Sequence, residues 1–167
     1  MKETNYTIVD FLYGKSDDVF ERLIKVDLAK VVKRHGMFPG VQRHTGSDTG
    51  FTSGSENVLY FDDYSIIEQD VLFYIPNISF VLRFFNAKGS LSYFIREVRC
   101  YVSVNQLYGD IVQLTFDFTF ITSGAFQNFF FKLLIKQPLI SYIEIGYSNL
   151  KIKLESSPYI LEGRRLR

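Results

Sequence analysis

The stretch Asp110-Ile111-Val112-Gln113-Leu114-Thr115-Phe116-Asp117-Phe118-Thr119-Phe120-Ile121 alternates strictly. Val112, Leu114, Phe116, Phe118 and Phe120 fall on one side, and Gln113, Thr115, Asp117 and Thr119 on the other. A period of two with one apolar and one polar face is that of a half-buried β-strand. After Ser123-Gly124 the period becomes helical and stays so for about thirty residues, ending before Ser156-Ser157-Pro158. A strand with one wet face followed by so long a helix predicts an antiparallel sheet laid against that helix. In the helix, Phe126, Phe130, Leu133, Leu134, Gln137, Ser141, Ile145 and Asn149 follow i, i+3, i+4 spacing and are expected to face the sheet. Pro138 inside it deprives the carbonyl of Leu134 of its donor, which predicts a kink. Phe129, Phe130 and Phe131 cannot share one face, so at least one is left near the surface, as part of a membrane-touching or dimer patch.

Working outward, the preceding segment Phe94 to Val104 places Val98, Cys100, Val102 and Val104 on one face and Glu97, Arg99, Tyr101 and Ser103 on the other. Further strands are expected near Val41 to Thr45, Glu56 to Phe61, Ser65 to Tyr74 and Ile78 to Phe85, with hairpin-sized connections that predict a meander. A first strand runs through Tyr6, Ile8 and Phe11 to Gly14. A helix follows, with Ser16 as N-cap, Asp17 and Asp18 in its first turn and Val19, Phe20, Leu23 and Ile24 as its apolar stripe. A second short helix is expected over Leu28 to Lys33, and the glycines from Gly36 to Gly54 predict turns and a mobile loop. The fold class is α+β in one domain, with a core over about residues 5–155 and a tail from 156 to 167.

Composition narrows the function. The 167 residues carry 19 Lys plus Arg against 18 Asp plus Glu, so no basic stripe for nucleic acid is present beyond the terminal Arg164, Arg165 and Arg167. One cysteine excludes an internal disulfide and a cysteine zinc cage and suits a reducing, cytoplasmic setting. No secretory leader or membrane span is evident, since Lys132, Lys136, Gln137, Pro138 and Glu144 interrupt the most apolar stretch. Apolar residues make up 47%, with 17 Phe, 11 Tyr and no Trp, more aromatic surface than a small core needs. Such side chains suit either a filled core or an apolar cavity between sheet and helix.

Motifs for specific chemistry are absent. Gly14-Lys15-Ser16 would need a glycine where Val9 stands to be a phosphate loop. His35 and His44, the two histidines, have no metal-ligand spacing, so neither metal nor cofactor is expected. Cys100 alternates with the apolar face and reads as core. In Ile67-Glu68-Gln69-Asp70-Val71, register decides whether Gln69 or the acids Glu68 and Asp70 point inward; inward acids would be candidates for proton transfer. Arg96 continues the inward face of Val98 and Cys100, or frays into solvent. Tyr142 either offers a hydroxyl to a ligand or packs. The candidate ligand-binding residues are therefore Gln69, Val71, Leu82, Phe84, Arg96, Val98, Phe116, Phe118, Phe130, Leu134 and Tyr142.

This order of elements resembles the helix-grip fold of the START-like (SRPBCC) superfamily, which includes polyketide cyclase/dehydrase-like and lipid-transport proteins. The resemblance spans about Asn5 to Ile152. It is carried by Asp17-Asp18-Val19-Phe20 with Val26-Asp27-Leu28, by Met37-Phe38-Pro39-Gly40-Val41, and by Tyr74-Ile75-Pro76 with Phe80, Leu82 and Phe84. Within the segment Leu134 to Leu150, Pro138-Leu139, Tyr142 and Asn149-Leu150-Lys151 add to it. It implies a sheet of about six or seven strands wrapped around a long C-terminal helix, with two short helices after the first strand. The implied function is binding or transport of a hydrophobic small molecule such as a lipid, isoprenoid or polyketide-like compound. The alternatives are a cyclase/dehydratase-like enzyme in the same cavity, or a regulatory and interaction module with a filled core. No catalytic residue is fixed by the resemblance. A homo-oligomer and peripheral membrane contact stay open as partners, whereas nucleic acid does not.

Overall fold

The computed structural model describes residues 1–45, 51–93 and 95–156. Gly46, Gly50, Phe94 and the tail from 157 onward, parts of the expected loop, strand and terminus, lie outside them. Seven strands form one antiparallel sheet: β1 (Lys2–Tyr13), β2 (Val41–Thr45), β3 (Glu56–Phe61), β4 (Ile66–Ile75), β5 (Ser79–Lys88), β6 (Glu97–Gln106) and β7 (Ile111–Thr122). The spatial order is β1-β7-β6-β5-β4-β3-β2, so β2 to β7 make the expected meander while β1 closes beside β7. Helices α1 (Ser16–Ile24) and α2 (Leu28–Val31) bridge the two edge strands. The long helix is built of α3 (Ala125–Phe130), a π-helical turn (Phe131–Ile135) and α4 (Lys136–Glu155).

Register shifts at Val41/Arg43, Ile66/Glu68 and Val71/Phe73 put bulges in β2, β5 and β4. A bulge bends its strand and steepens the local twist, which curves this half of the sheet over the helix. The alternation of β6 and β7 is as their sequences dictate: Cys100, Val102, Val104, Val112, Leu114, Phe116 and Phe120 are buried.

Two local expectations need correction. Ser16 is the first residue of α1 and Lys15 occupies the N-cap; the orphan amide of Ser16 is satisfied from outside, by Gln106 Oε1 at 2.8 Å. Helix α2 ends at Val31, capped at its start by Asp27, which accepts from the Ala29 amide at 3.1 Å. Near Pro138 the helix widens into a π turn in which the Lys136 amide reaches the Phe131 carbonyl, so the missing proline donor is absorbed by one extra residue in the turn.

That extra residue also changes which face is buried. Phe131, Ile135, Leu139, Leu150 and Leu154 face the sheet, whereas Phe126, Leu133, Leu134 and Ile145 are exposed. Polar clamps then hold the helix on both flanks. Over β1, Tyr6 Oη donates to Glu144 at 2.6 Å, and Asp10 accepts from Tyr147 Oη at 2.9 Å and Lys151 Nζ at 2.7 Å. On the other flank, Tyr142 Oη donates to the Pro39 carbonyl at 2.7 Å and Asn149 Nδ2 to the Val31 carbonyl at 2.9 Å.

Burial alone would raise the Asp10 pKa, but the Lys151 ammonium, the Phe11 amide and the Tyr147 hydroxyl outweigh it and hold the carboxyl below its usual range. A depressed folded-state pKa contributes stability that is present above the unfolded value and lost as pH falls through the folded one. Asp10→Asn is therefore expected to cost about 1–2 kcal/mol near neutrality and to flatten the acid limb of stability below about pH 4. Urea melts of both proteins across that range read the difference. An unchanged acid limb would remove Asp10 from the latch.

Candidate functional site: an apolar cavity between sheet and helix

The buried residues do not form one continuous core. One cluster joins α1, β6, β7 and the end of α4 through Phe20, Val102, Leu114 and Leu154. A second joins Phe38, Ile95, Phe120, Phe131, Ile135 and Leu139. A third, Val41, Leu59 and Phe61, sits at the β2–β3 edge. Phe118 and Phe84 touch two clusters each, and between the clusters lies a cavity of about 700 Å³. That is within the usual range for small-molecule sites.

Eight of the eleven sequence-derived residues line this cavity: Gln69, Leu82, Phe84, Arg96, Val98, Phe116, Phe118 and Tyr142. Phe116, Phe118 and Phe120 stack along β7, with centroids 6.4 and 6.3 Å apart, and form a flat aromatic wall. Val71 is fully buried but does not reach the open space. It lies beside the β4 bulge, toward the end that Phe20, Phe51, Tyr74 and Phe80 close by ring contact. Phe130 and Leu134 do not line the cavity either, because the helix presents the neighbouring stripe. Leu134 is exposed and Phe130 packs against Phe126 and Phe129.

The ambiguous polar triplet resolves in favour of Gln69. Asp70 points outward and holds Arg83 of β5 in a two-pronged ion pair, and Glu68 accepts from Asn86 Nδ2 at 2.8 Å. Neither acid faces the cavity, so both leave the set of proton-transfer candidates. Gln69 is 5% exposed, and among the described residues its side-chain amide makes no hydrogen bond. Arg96 precedes β6 and stands exposed at the cavity rim, its amide donating to the Ile121 carbonyl at 2.9 Å. The fraying and the inward reading thus meet at the mouth.

Three other groups on the wall keep their protons. Burial pushes the Cys100 thiol far up, and it likewise raises the phenols of Tyr142 and Tyr147, whose hydroxyls are already engaged. Tyr142 therefore contributes its ring, packed 5.2 Å from Phe38 between centroids. The structure adds His44, Asn57, Ile143, Gly146 and Tyr147 to the lining. His44 Nδ1 is buried without a hydrogen bond and lies 3.6 Å from Asp27 Oδ1. The alternation Asn57-Leu59-Phe61 in β3 was the sequence signal for Asn57. For the helix residues it was the apolar stripe of α4 read backward from Leu154.

No family model matches the chain, and no curated protein matches it. Solved structures do. Ara h 8.0201 superposes with a TM-score of 0.69 at 9% identity, covering 93% of this chain and 100% of that one. The chain has the helix-grip fold of such structures. A norcoclaurine synthase point mutant from Thalictrum flavum, in complex with a transition-state analogue, gives 0.61 at 12% identity over 93% and 99% of the two chains. An uncharacterized protein from Rhizobium leguminosarum gives 0.59 at 16% over 93% and 98%. Among the described residues no helix is long and apolar enough to cross a membrane.

Proposed function

We propose that the chain, as one domain over residues 1–167 with its core at about 5–155, binds a hydrophobic small molecule of the lipid, isoprenoid or polyketide-like kind between sheet and helix. The observation that carries this reading is the division of the core into three clusters around an apolar space of about 700 Å³. Covering that wall with an apolar ligand is worth about 25 cal/mol per Å² of surface removed from water. Native mass spectrometry of freshly purified protein, followed by organic extraction, tests it. A co-purifying apolar molecule near one per chain is expected. A clean apo mass with no uptake from a lipid and polyketide panel would overturn the reading.

Gln69 sets the ligand's orientation. The Gln69 amide borders the cavity with no hydrogen-bond partner among the described residues, so a ligand with a neutral hydroxyl or carbonyl is favoured over its plain hydrocarbon. Gln69→Leu is expected to shift the preference between 2-naphthol and naphthalene by about tenfold toward naphthalene. Calorimetric titration of both probes measures it. Equal shifts for both would mean that Gln69 acts only on the cavity's shape.

A second reading, an enzyme of the cyclase or dehydratase type, is favoured by one feature, the wall residue His44, whose Nδ1 lies 3.6 Å from Asp27 Oδ1. Such a pair can move a proton. The binding reading is preferred because Cys100, Tyr142 and Tyr147 all hold their protons and both phenol hydroxyls have protein partners.

A further inference from the structure

We propose that the first turns of the long helix dock the protein onto the surface of an anionic lipid bilayer. On α3 and the π turn, Phe126 is 75% exposed, Phe129 60%, Leu133 64% and Leu134 53%. Four large apolar side chains within nine positions form a continuous unpartnered face, of a kind that soluble surfaces seldom leave uncovered. The opposite face of the same turns is anchored in the core by Phe131 and Ile135, so the exposed face cannot roll inward.

Charge selects the occupant. From Phe118 to Ile143 the chain has no Asp or Glu, and Lys132 and Lys136 are its only charged residues. Neither lysine is in an ion pair among the described residues. A helix face with apolar side chains flanked by lysines fits the boundary between acyl chains and anionic headgroups. A second copy of the chain fits poorly. Face-to-face pairing would bring four lysines together with no carboxylate from Phe118 to Ile143 to meet them.

The inference does not depend on what the cavity holds, and the test keeps the two apart. Full-length protein is mixed with phosphatidylcholine vesicles, with or without about 30 mol% phosphatidylserine, and sedimented at low and high salt. Binding is expected only with phosphatidylserine and is expected to weaken as salt rises. Phe126→Ser/Phe129→Ser should reduce it by about tenfold, and Lys132→Glu/Lys136→Glu should remove the phosphatidylserine dependence. Phe126, Phe129 and Lys132 are exposed and Lys136 is half-buried, so unchanged thermal melts are expected to show that both variants fold. Gly146→Trp, which obstructs the cavity, should leave vesicle binding intact. Absence of wild-type binding, equal binding by the variants, or loss of binding in Gly146→Trp would overturn the proposal. So would a dimer in light scattering that Phe126→Ser/Phe129→Ser disperses without any vesicle association.

Discussion

Gly146→Trp is expected to weaken the uptake of apolar probes by at least about tenfold while leaving the protein as stable as its parent or more so. The two effects have opposite signs for one reason. Gly146 lies inside α4 and faces the cavity, and a Cβ built there meets nothing within 4 Å. A glycine in a helix interior costs about 1 kcal/mol relative to alanine, through backbone entropy. Any side chain recovers that, and a large one here finds empty apolar space, not neighbours to displace. Gly146→Ala should thus raise stability by about 1 kcal/mol and leave binding nearly unchanged. The indole of Gly146→Trp should take up space beside Ile143, Tyr147 and Phe116 that a ligand would use. Chemical denaturation and naphthalene titration of both variants separate the effects. A filled core would give the reverse pattern, with marked destabilisation by the tryptophan; unchanged binding by that variant would show that ligands sit elsewhere.

How much of this was legible in the sequence depends on contrast between faces. Strands β6 and β7 alternate from Val98 to Val104 and from Val112 to Phe120, and their cavity-lining members Val98, Phe116 and Phe118 could be named from that alone. In β4 three polar residues stand in a row, and alternation has no purchase on them. The inward choice of Gln69 is decided by partners on another strand, Arg83 opposite Asp70 and Asn86 near Glu68. Cross-strand pairs of this kind become visible only once register is known. His44 sits on a five-residue strand with a bulge, too short and irregular to show a face. The long helix failed for a different reason, since it is apolar on both sides near its start. The stripe from Phe126 through Leu134 continues into Gln137, Ser141 and Asn149, whereas Leu154, Leu150, Ile143 and Leu139 lead back to Ile135 and Phe131. Only the second stripe is apolar over the whole helix. Pro138 announced a distortion, but its form, a π turn, was not encoded in the spacing.

The same choice of stripe predicts the largest stability effect. Phe131→Ala is expected to cost about 3–5 kcal/mol, against less than about 1 kcal/mol for Phe130→Ala, although the two residues are adjacent and identical. Phe131 is wholly buried, tilted against Phe120 at 5.6 Å between centroids, in the cluster that includes Phe38, Ile95, Ile135 and Leu139. Removing its ring leaves a void in a region where the helix is already widened, and the carbonyl of Phe131 is the one that the Lys136 amide reaches across the π turn. Phe130 touches Phe126 at 4.7 Å and Phe129 at 5.5 Å between centroids, on the outer side. Its loss uncovers little that was not already wet. In thermal melts Phe131→Ala should lower Tm by roughly 10 °C, and Phe130→Ala by a few degrees at most. Ligand uptake should fall in the first as well, because Phe131 seats the helix beside Leu139, which lines the cavity. Equal costs at the two positions would place the helix in the other register, with Phe130 and Leu134 turned toward the sheet and the exposed apolar face gone.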